Sequence, residues 1–303
     1  MFHVEQEPTP ANRCAEDPAR SHTDPVLSYA MSDKSSAPAP RALPRVIAIA
    51  NQKGGVGKTT TTVNLASSLA EVGYNVLIVD LDPQGNASTA IGVDVKEIEA
   101  TVYNVLLDPE QRVEDCIEST AFFGLKILPS NADLIGVERE LSDEFDAHLR
   151  LKNALNPVVE DWELDFVLID CPPALGVLTV NALVAATEVL VPVQCEGGFH
   201  VDALTGIEDL IKRVRRINPE LEISTLVGTM FDMKTKLSSD VYGDVLKKYG
   251  DKVCRNKIPR SVRLAEAVSH GQPINVYDPT SKGSIAYRLV AKEVAGGATP
   301  RSR

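Results

Sequence analysis

The chain has 303 residues, 44% of them hydrophobic and 24% charged, with a formal net charge of −11. That is enough for an α/β core in one large or two small domains, and the acidic balance supplies no overall attraction to nucleic acid. No apolar run approaches the roughly 18 residues that span a bilayer, and the N-terminus lacks a signal-peptide core, so we expect a cytoplasmic protein. The five cysteines (Cys14, Cys116, Cys171, Cys195 and Cys254) contain no C-x-x-C pair, which fits a reducing compartment rather than a disulfide framework. The five histidines show no metal-ligand spacing.

Residues 1–45 hold seven of the 19 prolines and no period of 2 or 3.6. Such composition does not offset the entropy of ordering, so residues 1–44 read as a disordered tail. Met31 inside it is an alternative start. From Arg45 short apolar runs recur: RVIAIA (45–50), NVLIVDL (75–81), LKILPS (125–130), DFVLID (165–170), EVLVPVQ (188–194) and ISTLVGTM (223–230). Runs of this kind in series are buried parallel strands. Helical stretches separate them. KTTTTVNLASSLAEVG closes on Gly73, and VLTVNALVAAT is apolar nearly all round. HVDALTGIEDLIKRVRRI spaces Leu204, Ile207, Leu210, Ile211 and Val214 at helical intervals, and SSDVYGDVLKKYG ends on another glycine. Strand and helix in alternation predict one α/β domain over 45–295, with a mostly parallel twisted sheet and helices on both faces. Residues 296–303 read as a frayed end.

Three motifs carry chemistry. KGGVGKTT lies between a strand and a helix, where a phosphate-binding loop sits. Gly54, Gly55 and Gly57 allow close backbone approach, and with Val56 they turn N–H groups toward one anionic spot at the helix N-terminus. Lys58 can neutralise β- and γ-phosphate charge, Thr59 can ligate Mg²⁺, and Thr60 continues the loop into the helix. The usual pattern wants a glycine where Gln52 stands, and a second lysine, Lys53, follows it. DLDPQGNAS places Asp82 at the C-terminal edge of the sheet, suited to orienting water or a metal-bound water. Asp80 beside it is either functional or a cap or loop hydrogen-bond acceptor. DFVLIDCPP is an apolar strand ending in Asp170, the Walker B arrangement that holds Mg²⁺. Cys171 reads as a packing residue.

KGGVGKTT, DLDPQGNAS and DCPPALG, in this order, resemble the ParA/Soj family of partitioning ATPases, within the P-loop class that has a deviant Walker A motif and includes MinD. The resemblance covers about Arg45 to Val294. It implies a P-loop NTPase-like fold, ATP/ADP and Mg²⁺ as cofactors, and an ATPase that forms a homodimer on binding ATP. It implies that Lys53 reaches the partner's nucleotide, that Lys58 is the ordinary loop lysine, and that Thr59 and Asp170 hold the metal. It also implies that Asp82 positions the hydrolytic water, that Gly54 clears room for a facing protomer, and that Phe231 and Pro259 contact adenine. Strand-end packing is the alternative for those last two.

From Lys234 to Arg263 nine residues are basic and three acidic, an asymmetry that suits a phosphate backbone. PRSVRLAEAVSHG reads as a helix with Val262, Ala265 and Val268 inward and Arg260 and Arg263 side by side outside. With the resemblance, Lys234, Lys236, Arg260 and Arg263 become the candidate DNA contacts. The implied partners are non-specific DNA and a ParB-like centromere-binding protein, with no stable membrane association and a nucleoid location in the cytoplasm. Alternative readings are a positioning ATPase for a non-DNA cargo, a MinD-like membrane regulator, and an iron–sulfur electron-transfer protein with exposed cysteines.

Overall fold

The computed structural model describes residues 42–196 and 204–300. Most of the tail expected over 1–44, the helix start expected at 200–203 and the last three residues lie outside the described residues.

All six apolar runs form strands. In chain order they and one addition are β1 (Arg45–Ile49), β2 (Val76–Asp80), β3 (Glu118–Ser119), β4 (Leu125–Leu128), β5 (Phe166–Asp170), β6 (Glu188–Gln194) and β7 (Glu222–Thr229). They make one sheet of order β3-β4-β2-β5-β1-β6-β7, parallel throughout except for β3 against β4. The two-residue β3 has no apolar signal, because an edge strand facing solvent needs none.

The helices are α1 (Lys58–Glu71), α2 (Asn86–Ala90), α3 (Val102–Leu107), α4 (Val137–Glu140), α5 (Arg150–Asp161) and α6 (Val177–Ala185). They continue as α7 (Thr205–Val214), α8 (Lys236–Tyr249), α9 (Val262–Ser269), α10 (Ile274–Tyr277) and α11 (Lys282–Ala295). Strand side chains alternate between two cores. Ala48, Val79 and Ile169 join the core under α3 to α8, whereas Ile49, Ile78 and Leu168 join the core under α1, α2, α9, α10 and α11. Each fully buried aliphatic side chain contributes about 1.5–3 kcal/mol. Two-sided burial is why the central runs β1, β2 and β5 are almost continuously apolar, whereas Lys126 of β4 is exposed.

The C-terminal α11 packs along α1 through Ala286, Tyr287 and Val290, and the Tyr287 hydroxyl lies 3.3 Å from that of Thr61. Gly296, in the left-handed region at φ +59°, ends the helix. Much of its apolar surface is therefore spent inside the fold. The expected inward face of α9 is corrected in part: Leu264 and Ala267 are buried and Val268 packs half-buried against the same core, while Val262 is 73% exposed and Ala265 is also outside. Leu264, the larger side chain, sets the register.

Candidate nucleotide site

The phosphate loop leaves β1 at the C-terminal edge of the sheet, and its shape is held from both sides. Buried Asn51 donates its amide to the Pro192 carbonyl at 2.8 Å and accepts from the Lys53 N–H at 3.0 Å. On the far side the Thr229 hydroxyl donates to the Val56 carbonyl at 2.8 Å. Gly57, at φ +90°, adopts a conformation costly for any other residue just before α1. The N–H groups of the first turn of α1 then point into a cleft of about 280 Å³ lined by Gly54, Gly55, Gly57, Lys58, Thr59 and Thr60. Asp82 borders the same cleft.

Lys58 is buried, and its ammonium donates weakly to the Lys53 carbonyl at 3.4 Å. Burial lowers its pKa, and the nearby carboxylates of Asp170 and Asp82 act against that. The Thr59 hydroxyl donates to one oxygen of Asp170 at 2.7 Å, and the Thr62 hydroxyl donates to the other at 2.9 Å. Asp170 is fully buried, and its pKa is raised, first by burial and then by the charge of Asp80. A hydroxyl beside a desolvated carboxylate is a hard-oxygen pair whose charge a divalent cation relieves. Among the described residues no three His, Cys, Asp or Glu side chains gather as a cage. Mg²⁺ takes one or two protein oxygens and completes its shell with water and phosphate, a demand the Thr59–Asp170 pair can meet.

The open question about Asp80 resolves on the structural side. Its carboxylate accepts from the Asp82 N–H at 3.1 Å, the Ser88 N–H at 2.9 Å and the Ser88 hydroxyl at 2.8 Å. Buried at the end of β2, it ties the Asp82 loop to α2, and burial raises its pKa to about 6. Asp82 itself accepts from the Gln84 N–H at 3.0 Å.

A second, more apolar cleft of about 370 Å³ adjoins the first and shares Gly57, Thr60 and Met230 with it. Pro259, Leu264 and Tyr287 line it further, the right size and character for a base. Phe231 is not among the lining residues. Its ring packs edge-on to Tyr242 at 6.1 Å, with the Lys257 ammonium over its face at 5.4 Å. Its neighbour Met230 lines both clefts, with a left-handed backbone at φ +51° that composition does not announce. Asn86 and Pro173 also border the phosphate cleft; both lie inside the quoted motifs and were not singled out.

The four basic candidates are exposed but not alike. Lys234 and Lys236 stand on and before the first turn of α8. Arg260 donates to Glu196 at 3.1 Å, and Arg263 to Glu266 at 2.8 Å with Asp278 at 3.5 Å. The two arginines are thus outside as expected, each turned to its own carboxylate. Cys116, Cys171, Cys195 and Cys254 are buried free thiols, so none of these four is presented for a cluster shared with a facing subunit.

A crossover sheet with a glycine loop at the C-terminal end of β1 and an aspartate ending the adjacent strand defines a P-loop NTPase-like fold. The AAA domain family matches residues 44–225. The chain is 46% identical over 255 residues to the sporulation initiation inhibitor protein Soj of Bacillus subtilis, covering 83% of this chain and 98% of Soj. It is 48% identical over 251 residues to the chromosome partitioning protein ParA of Caulobacter vibrioides, covering 82% and 93%. Among solved structures, cobyrinic acid a,c-diamide synthase from Mycobacterium smegmatis with bound ADP and magnesium superposes with a TM-score of 0.72 at 38% identity, covering 83% and 94%. The septum site-determining protein MinD from Pyrococcus horikoshii, complexed with Mg-ADP, superposes with a TM-score of 0.65 at 28% identity, covering 82% and 95%. The chain belongs to the ParA/Soj family of chromosome-partitioning ATPases.

Proposed function

We propose that this chain is an ATP-dependent DNA-segregation ATPase, its catalytic domain spanning 45–295. ATP binding forms a sandwich dimer, the dimer binds DNA non-specifically, and hydrolysis stimulated by a ParB-like partner releases it. A nucleoid location in the cytoplasm follows from that cycle. The observation that carries the reading is the second lysine. Lys53 is half-buried next to Gly54, which lines the phosphate cleft, and among the described residues its side chain has no ion pair or hydrogen bond. Gly54 supports it: a Cβ there would meet nothing within 4 Å, so its own subunit does not require glycine. A facing subunit that delivers Lys53 to the phosphates across this gap accounts for both.

Within one site, Lys58 and the first-turn N–H groups of α1 neutralise charge that builds on the phosphate oxygens. Thr59 and Asp170 would hold Mg²⁺, which when bound supplies further charge neutralisation at the β- and γ-oxygens. Asp82, at the cleft wall, orients the attacking water for displacement at the γ-phosphorus, and the acceleration comes mostly from positioning and electrostatics. Lys53→Ala is expected to abolish ATP-dependent dimers in light scattering while a fluorescent ATP analogue still binds. Wild-type dimerisation in this variant overturns the cross-subunit role.

A further inference from the structure

After the left-handed Met230, the chain enters a turn closed by its own hydrogen bonds. Asp232 accepts from the Lys234 N–H at 2.9 Å, and its carbonyl accepts from the Thr235 N–H at 3.1 Å. Thr235 caps α8, accepting from the Ser238 N–H at 3.3 Å, and the Ser238 hydroxyl accepts from the Asp232 N–H at 3.3 Å. This network holds the turn and the start of α8 as one unit. At its apex Met233 is 89% exposed, and Leu237 on the first helical turn is 46% exposed. Lys234 and Lys236 alternate with them, and among the described residues neither side chain has an ion pair.

Isolated exposed apolar residues need no explanation. Here two of them are interleaved with two cations that have no ion pair among the described residues, on a turn fixed by these four hydrogen bonds, which presents them rather than letting them fold inward. The geometry points to an apolar wedge: Met233 and Leu237 enter a DNA groove while Lys234 and Lys236 hold the flanking phosphates. This inference rests on the DNA-binding reading above. Charge selects the occupant. A second copy seated here about a two-fold axis sets these lysines against themselves, which is repulsive, whereas a phosphate backbone complements them. Arg260 adjoins the turn through its backbone N–H, which donates to the Phe231 carbonyl at 3.4 Å, while its guanidinium is held by Glu196. Methionine suits a wedge, since its flexible thioether fills irregular gaps, and apolar side chains that part base steps recur in groove-binding proteins.

Binding then has two separable components. The lysine component weakens steeply with salt, and the apolar component does not. The experiment titrates the full chain, with ATP and Mg²⁺, against a fluorescent duplex of arbitrary sequence over a range of salt. Met233→Ser with Leu237→Ser is expected to lower affinity by about tenfold or more at every salt concentration, in line with losing two partly buried apolar side chains, and to keep the wild-type salt slope. Lys234→Glu with Lys236→Glu is expected to flatten that slope, and Met233→Leu to retain affinity; thermal melts by circular dichroism establish that the variants fold. Wild-type affinity in the serine variant overturns the wedge. So does a loss of ATP-dependent dimers in that variant, or a loss of binding to phosphatidylglycerol vesicles with DNA affinity intact. If the wild-type chain itself binds no duplex, the DNA-binding reading falls first, and the wedge with it.

Discussion

At the scale of single residues, the phosphate cleft divides its labour between two aspartates two positions apart. Asp80 spends both oxygens on backbone and serine donors and is fully buried. Asp82 keeps one oxygen off the Gln84 N–H and faces the cleft. Residues i and i+2 of a regular strand would share a face; the two differ because β2 ends at Asp80 and Asp82 stands in the loop beyond it. The Asp82 carboxylate makes one local hydrogen bond, from the Gln84 N–H two residues on, so in Asp82→Ala the fold is expected to survive while hydrolysis falls by orders of magnitude. The chain should then accumulate as an ATP-bound, DNA-bound dimer, measured as phosphate release against duplex retention. Normal turnover in the variant refutes the role assigned to Asp82.

At the scale of elements, the end of β7 joins the phosphate cleft to the surface proposed to meet DNA. Thr229 reaches the Val56 carbonyl in the phosphate loop, Met230 lines both clefts, and the capped turn carrying Lys234 follows directly. Thr229→Val removes the one donor in that chain of contacts and leaves a buried carbonyl without its partner, a cost of about 1–3 kcal/mol. The expected result is a lower urea midpoint and weaker ATP binding by the fluorescent analogue. Unchanged ATP affinity would mean that the loop holds its shape from the Asn51 side alone.

At the scale of the whole molecule, the two edges of the sheet do different work. The nucleotide site occupies the C-terminal edge, while the other edge is closed by a buried ion pair between the first residues of β1 and β6. Arg45 bonds Glu188 through two nitrogens at 2.6 and 2.7 Å, donates to the Val294 carbonyl of α11, and lies over the Phe166 ring at 5.4 Å. Glu188→Ala strands a buried guanidinium, a loss of about 3–5 kcal/mol, to be read from urea unfolding. ATPase activity per folded molecule should hold, because the pair sits across the sheet from the cleft. A change below 1 kcal/mol would show that Arg45 is satisfied by Val294 and the ring alone.

Much of this was legible in the residues. Burial on both faces forces continuous apolar strands, so six of seven could be read, and short-range chemistry placed Lys58, Thr59, Asp82 and Asp170 at one edge. Three features required the tertiary structure. β3 carries no pattern because a solvent-facing edge strand imposes none. The face of α9 turned on whether Leu264 or Val262 met the core, and a helix with three apolar spacings permits either. The apolar cleft beside the phosphate loop is lined by Met230 and not by Phe231, since the left-handed turn and the Tyr242–Lys257 stack come from segments distant in sequence. The sequence by itself determined the phosphate chemistry, because glycine, lysine, hydroxyl and carboxylate act there through local backbone geometry. What the fold alone decided is which side chains have no partner among the described residues, Lys53, Lys234 and Lys236 among them, because pairing depends on neighbours that only packing brings together.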